Sequence, residues 1–190
     1  MQHKAKKFST RAKAVTSAAL LAAVGAGVAG AVSASADTPA AAPAAAPAAL
    51  KGRTTTTSTH LTIDAATDAA RAALDAAEQD GRRVTVAVVD RNGNTVVTLR
   101  GDGAGPQSYD SAVKKAFTAV SWNAPTSELA QRLEKAPHLK DIPGTLFLAG
   151  GAPVAYNSAP IAGIGVAGAP SGDLDEKFAQ AGVDAISNGR

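Results

Sequence analysis

Apolar residues recur at helical spacing in several stretches that follow residue 60, and they predict four helices. The first is expected to begin after Thr62, a plausible N-cap, and to stop at Gly81. Its inward face is almost entirely alanine, so this face could also pack across a subunit interface. The others are predicted from about 108 to the break at Pro125, after 126, and over 172–187.

Short β-branched and apolar runs between these helices predict strands. The runs are 84–89, 95–100, 145–148, 153–156 and 161–167. Asn92-Gly93 indicates a hairpin between the first two strands. Because the strands come in hairpins and do not alternate singly with helices, we expect an α+β fold with a five-stranded antiparallel sheet and helices packed against it.

The first 36 residues have the pattern of a secretory signal peptide. A basic region, 1–13, precedes an uncharged run, 14–31, and Ala34-Ser35-Ala36 then provides a small-x-small cleavage site. The alternative is a permanent membrane anchor, but alanine and glycine contribute little transfer free energy. We therefore expect cleavage after Ala36 and a secreted, extracellular protein.

Residues 37–59 are rich in Pro, Ala and Thr, lack an apolar stripe, and are predicted to be a disordered or extended linker. The domain is predicted over 60–190. Five of the 19 basic residues and none of the 16 acidic ones lie in 1–36, so the remaining chain has a net charge of −2. The basic character of the whole chain therefore gives no support for nucleic-acid binding.

Composition and motifs argue against several classes of chemistry. The chain has no cysteine, which excludes disulfides, zinc fingers, iron–sulfur clusters and thiol catalysis. The 163–168 stretch matches G-x-G-x-x-G, but its glycines lie within a predicted strand, where they would instead let a helix or a neighbouring chain approach closely. No G-x-S-x-G motif is present, so hydrolase activity has no positive support.

A few side chains remain as candidate metal ligands. His60, at the junction of linker and domain, is a candidate ligand for iron or haem, and its alternative role is that of a solvated linker residue. Asp75 and Glu78 are three residues apart on the first helix, as are Asp173 and Glu176 on the last, and each pair could face one hard cation. The alternative for both pairs is an ordinary solvated or helix-capping role.

Several stretches, in order along the chain, carry a resemblance to a known family. They are VAVVDRNGN (86–94), GDGA (101–104), KKAFT (114–118), IPG (142–144), GGAP (150–153), GIGVAG (163–168), and the C-terminal DE (175–176) and AQAG (179–182). With these motifs, residues 61–187 resemble the HbpS/GlcG-like family. The leader and SWNAP (121–125) are most similar to its secreted branch.

The resemblance implies a profilin-like domain that assembles into a homo-oligomer, an octamer in this family. It implies binding of haem, with some release of iron from it, and binding of iron ions at the surface. It also implies a partnership with the extracellular domain of a membrane sensor histidine kinase in redox or haem signalling.

The same resemblance suggests site residues. The haem contact would fall on Thr145, whose alternative role is a hydroxyl bonded to the local backbone, with Thr118 as a second choice. Lys114 and Lys115 could pair with haem propionates, and a solvated face is the alternative. The acid-x-x-acid iron motif falls on Asp110 and on 113, which is valine here. His60 matches an N-terminal histidine of the branch.

Three functions are consistent with these features. The first is a secreted haem- and iron-binding accessory protein of a sensor kinase. The second is an enzyme, either one that degrades haem or one related to cofactor or small-acid metabolism, although no acid–base constellation supports it. The third is an interaction module whose working surface is the oligomer.

Overall fold

The computed structural model describes residues 48–50 and 52–187. The predicted leader, its cleavage site and the first part of the predicted linker lie outside these residues. The described linker residues, 48–50 and 52–59, are exposed and contain one turn of 3-10 helix, Gly52–Thr54. No helix in the described part of the chain is both long enough and apolar enough to cross a bilayer.

In the described residues, the domain contains four α-helices and four β-strands. The helices are α1 (Ile63–Gln79), α2 (Gln107–Trp122), α3 (Thr126–Arg132) and α4 (Gly172–Ser187). The strands are β1 (Thr85–Asp90), β2 (Thr95–Arg100), β3 (Gly151–Tyr156) and β4 (Ala159–Ala167). A 3-10 helix, Pro137–Asp141, lies between α3 and β3.

The strands form one antiparallel sheet in the order β2-β1-β4-β3. The predicted α+β class is therefore confirmed. In the central strand β1, Val86 and Val88 face the core formed with α1 and α4, whereas Ala87 and Val89 face α2. This alternation buries both faces of β1, which explains why its sequence is a continuous apolar run.

The described residues form four strands and not the predicted five, because the 145–148 stretch does not join the sheet. Its amide groups are used elsewhere. Thr145 donates its N–H to the carbonyl of Ile142 at 3.3 Å, and Leu146 donates its N–H to the hydroxyl of Thr118 at 2.8 Å. The apolar pattern of this stretch reflects burial of single side chains rather than a β ladder.

The glycines of the 163–168 stretch allow α2 to lie directly on the sheet. A Cβ atom on Gly165 would come within 2.0 Å of the Ala112 carbonyl oxygen, and one on Gly163 within 2.2 Å of the Ala116 carbonyl oxygen. The close approach expected from these glycines thus occurs within the chain, between β4 and α2. They serve helix–sheet packing and not the binding of a dinucleotide.

The alanine face of α1 is also used inside the domain. Its buried alanines pack with α4 and the sheet in one core cluster. Gly182 of α4 lies against the backbone of α1, since a Cβ there would be 2.6 Å from the Ala69 carbonyl oxygen. The subunit interface considered for this face is therefore not needed to explain its composition.

Two local predictions are confirmed. Thr62 caps α1, because its hydroxyl accepts the N–H of Ala65 at 3.2 Å. The Asn92-Gly93 turn joins β1 to β2, and Gly93 has a φ of +87°, which glycine adopts without strain.

Candidate functional site

The segment 142–150 links the 3-10 helix to β3 and passes over α2. Phe117 of α2 lies beneath it. Gly144, which has a φ of +81°, would place a Cβ 3.7 Å from this ring, and Gly93 of the β1–β2 hairpin would place one 2.9 Å from the opposite ring edge. The start of the segment and the hairpin tip therefore lie against opposite edges of the same aromatic ring.

Thr145 is half-buried in this segment. Its hydroxyl donates to the carbonyl oxygen of Ile142 at 2.7 Å, and its N–H points to the same oxygen at 3.3 Å. A hydroxyl that gives its single proton to a carbonyl keeps its oxygen lone pairs for another partner. The local bonding anticipated as the alternative role of Thr145 is therefore present, and it leaves the oxygen able to act as a ligand.

Large apolar side chains flank Thr145 along the chain. Ile142 is 41% exposed and Leu148 is 53% exposed, on either side of Thr145 in the chain. Below them, Phe147 is buried and meets Trp122 edge to face, with ring centroids 5.1 Å apart. Exposed apolar groups next to one polar atom are the features of a site for a flat, mostly apolar ligand.

Thr118 does not reach the surface. Its side chain is fully buried, and its hydroxyl donates to the Lys114 carbonyl oxygen at 2.7 Å and accepts the Leu146 N–H at 2.8 Å. The structure therefore places Thr118 behind the 142–150 segment and not on the face that a ligand would contact.

The two neighbouring lysines of α2 have different environments. Lys114 is exposed, and no carboxylate in the described part of the chain lies within ion-pair distance of it. Lys115 is buried, and its Nζ donates to Asp175 Oδ2 at 2.7 Å and to the Val166 carbonyl at 3.0 Å. Lys115 thus has no free ammonium to offer a propionate, because Asp175 of α4 already pairs with it.

The partner of Lys115 was not apparent in the sequence. Burial raises the pKa of the Asp175 carboxyl, while the hydrogen bond and charge of Lys115 and the N–H of Ala169 oppose that rise. The pattern of α2 gave no signal, because a lysine that directly follows another lysine in a helix indicates an exposed position. Only its ionic partner, 60 residues away, explains its burial.

Glu176 also has a structural role that differs from the expected cation pair. Its carboxylate accepts the N–H of Ser127 at 2.9 Å, the N–H of Gly150 at 3.1 Å, the hydroxyl of Thr126 at 3.3 Å, and the hydroxyl of Ser127. It therefore caps the start of α3 and holds the end of the 142–150 segment. None of these hydrogen bonds involves Asp173, the other member of the predicted pair.

The predicted iron ligand Asp110 is exposed in the first turn of α2. Val113, at the second position of the motif, packs against Ala87 and Val89 of the sheet. Across the described residues, no cluster of three or more His, Asp or Glu side chains could hold a metal ion. Asp110 thus remains a predicted ligand with one carboxylate and no companion ligand among the described residues.

The other predicted metal ligands are the pair Asp75 and Glu78, and His60. Asp75 and Glu78 are on α1, across the sheet from α2, and Asp75 lies 4.0 Å from the guanidinium of Arg71. His60 is exposed, with its Nε2 2.7 Å from the Ser58 hydroxyl. Asp75 and Glu78 are therefore not brought to Thr145.

His60 lies within electrostatic reach of the β1–β2 hairpin. Burial raises the pKa of Asp90, but hydrogen bonds from Asn94 and Asn92 outweigh this effect, and the charge of His60 adds to the net lowering. The hairpin tip also contacts Phe117 below the 142–150 segment. The charge of His60 therefore acts on Asp90 of the hairpin.

Two solved structures of known proteins are similar to this chain. HbpS from Streptomyces reticuli, solved as a double mutant, is 75% identical, with a TM-score of 0.75 over 76% of this chain and 99% of that one. The heme complex of PduOC is 28% identical, with a TM-score of 0.63 over 68% of this chain and 96% of that one. Both fit the predicted profilin-like α+β fold.

A curated relative gives a weaker match. An uncharacterized 15.0 kDa protein from the dhaT-dhaS intergenic region of Citrobacter freundii is 30% identical over 132 residues, which cover 67% of this chain and 92% of that protein. The family described as "Haem degrading protein HbpS-like" matches residues 61–184, nearly the whole described domain. The chain therefore belongs to the HbpS-like family.

Proposed function

We propose that the chain binds haem at the 142–150 segment, with the hydroxyl oxygen of Thr145 as the iron ligand. The observation that carries this proposal is the orientation of that hydroxyl, which donates its proton to Ile142 and so directs its lone pairs elsewhere. Family membership and the heme complex of a relative support haem as the bound group.

The surroundings of Thr145 also favour haem binding at this position. Ile142 and Leu148, in the same segment as Thr145, expose apolar area that a porphyrin face could cover. Lys114 is exposed on α2 and provides a free ammonium for a propionate. A neutral hydroxyl is a weak iron ligand, so we expect haem that is exchangeable and not permanently held.

Titration with haemin tests this proposal. The purified protein should shift the Soret band in a saturable way. Thr145→Val should weaken binding by about tenfold or more, because loss of even a group that only supports a metal ligand costs about 10–100-fold in affinity. Thr67→Val is the matched control, because Thr67 on α1 makes the same kind of bond to a backbone carbonyl, at 2.8 Å. Equal affinities for T145V and T67V, or no saturable shift, would refute the proposal.

Iron binding is a separate part of the proposal. Asp110 and His60 are exposed, as is Glu78 of the Asp75 pair, so each can reach an iron ion from solution. Carboxylate oxygens are suitable ligands for a hard cation. Titration with ferric citrate should show saturable binding that Asp110→Asn and His60→Ala each weaken, whereas unchanged binding in both variants would exclude these residues.

The place of action follows from the leader. We propose that the protein is exported, assembles into an octamer, and acts with the extracellular domain of a sensor histidine kinase in redox or haem signalling. The leader pattern and the family resemblance support this. Light scattering on the protein collected from the medium should give about eight times the protomer mass, and a monomer would contradict the assembly.

Haem breakdown is a second candidate, favoured by the description of the matched family. Haem-loaded protein treated with hydrogen peroxide separates this activity from simple binding. Multiple turnovers, with more than one iron released per protein, would indicate catalysis. Release of less than one iron per protein would leave haem binding as the function.

A further inference from the structure

We propose that Thr118 is a positioning residue for Thr145, whose oxygen it holds in place for haem iron without contacting haem itself. The inference rests on the proposed haem site. It gives a role to a residue that the sequence marked as a possible haem contact and that the structure places in the interior.

The bond between Thr118 and the segment is direct. The Thr118 hydroxyl accepts the N–H of Leu146, the residue that follows Thr145, at 2.8 Å. The same hydroxyl donates to the carbonyl of Lys114 at 2.7 Å, which fixes the direction of its lone pairs. The side chain is fully buried, so water does not compete for either bond.

The backbone of the 142–150 segment needs the bond from Thr118 to hold its position. Residues 145–148 have no partner strand, so a β ladder does not hold their backbone. On the other side of Thr145, the Ile142 carbonyl orients its hydroxyl. Hydrogen bonds therefore hold the chain on both sides of Thr145, at Ile142 and at Leu146. The bond at Leu146 depends on Thr118 of α2.

Two other hydroxyls that make the same bond to the carbonyl four residues earlier differ from Thr118. Thr67 and Ser121 donate to the carbonyl four residues earlier, as Thr118 does, but neither accepts a backbone N–H from another element in the described part of the chain. The helical bond is ordinary for threonine and serine. The bond from Leu146 is what connects α2 to the proposed haem ligand.

The test compares Thr118→Val with Thr118→Ser. Valine keeps the branched shape and removes the acceptor, whereas serine keeps the hydroxyl. Thr85→Val is the matched control, because Thr85 is also fully buried and bonds Ser108 at 2.7 Å, at the opposite end of β1 from the hairpin. Haem affinity is measured by Soret titration, and loop anchoring by hydrogen exchange of the Leu146 amide in the haem-free protein.

T118V should exchange the Leu146 amide faster and bind haem at least about tenfold more weakly, in the range seen for groups that support a metal ligand. T118S and T85V should keep both properties close to those of the wild type. If T118V does not fold, Thr118→Cys serves instead, because a thiol is a poor acceptor of similar size.

Three results would overturn the inference. Unchanged haem affinity in T118V, while T145V loses it, would refute the role of Thr118 and leave the proposed function standing. An equal loss of haem affinity in T85V would show general destabilisation. Failure of the wild-type protein to bind haem would refute the proposed function, and the inference with it, whatever the exchange rates.

Discussion

Lys115 and Asp175 form an ion pair whose side chains are only 2% and 5% exposed. Bringing two charges into the interior is costly, so the pair adds little net stability compared with apolar side chains. Removal of one partner is different, because the remaining charge is then buried alone. At the residue scale, this pair is therefore the point where a single substitution should matter most.

We expect Lys115→Met to lower the free energy of unfolding by about 3–5 kcal/mol, the usual cost of breaking a buried pair. Lys114→Met, the exposed neighbour, should change it little. Urea unfolding of both variants provides the measurement. The double variant Lys115→Met with Asp175→Leu should recover much of the loss, and equal stabilities of K115M and K114M would contradict the buried pair.

Asp90 should make stability depend on pH in acid. Its folded-state pKa lies below its ordinary value of 3.8, because hydrogen bonds from Asn94 and Asn92 outweigh the effect of burial. The unfolded state therefore binds the proton more tightly, and the stabilisation is present above pH 3.8 and is lost as pH falls through the folded-state pKa.

Asp90→Ala should accordingly cost about 1 kcal/mol at pH 7, the scale of a few exposed hydrogen bonds, and much less at about pH 2. Urea unfolding at both values measures this difference. Asp68→Ala is the control, because this exposed carboxylate accepts no hydrogen bond from the described residues. An equal cost of D90A at the two pH values would contradict the role of the ionised carboxylate.

At the scale of elements, local chemistry was enough to predict the helices and most strands. The cap at Thr62 and the turn at Asn92-Gly93 depend on neighbouring residues, and both are confirmed. The 145–148 stretch was wrongly predicted as a strand, because its backbone bonds to Thr118 and Ile142, and no local pattern reveals a distant side-chain acceptor.

The site was predictable only in part, for the same reason. The motif resemblance selected Thr145 and Lys114, which the structure leaves with a usable oxygen and a free ammonium. The resemblance gave no reason to prefer Lys114 over Lys115 as a propionate partner, because what distinguishes them is the ion pair between Lys115 and Asp175 of α4. Residues whose roles depend on contacts distant in sequence cannot be assigned from local patterns.

The contact between α2 and β4 should be sensitive to one methyl group. Gly165→Ala places a Cβ against the Ala112 carbonyl oxygen, so α2 must shift, and we expect a loss of about 1–3 kcal/mol. Gly52→Ala is the control, because nothing lies within 4 Å of its Cβ position. Thermal unfolding compares the two, and similar melting temperatures would contradict the tight packing.

At the scale of the whole molecule, we expect the predicted leader to determine where the domain acts. We expect the protein recovered from the medium to begin at Asp37, because cleavage after Ala36 leaves this residue first. Ala36→Leu should block processing at this site, since the peptidase groove accepts small residues there. N-terminal sequencing and the apparent mass check this, and an intact leader on secreted protein would contradict it.

Glu176 joins three parts of the domain through one carboxylate, since it lies on α4 and accepts N–H groups from Ser127 at the start of α3 and from Gly150 just before β3. If any one of these parts detaches, the donors of the others lose their acceptor as well. We therefore expect α3, the adjoining loop and the start of α4 to open as one cooperative unit. Limited proteolysis of the native state would then release this region all at once, and the rate of this opening would limit how fast the Thr145 surface can rearrange.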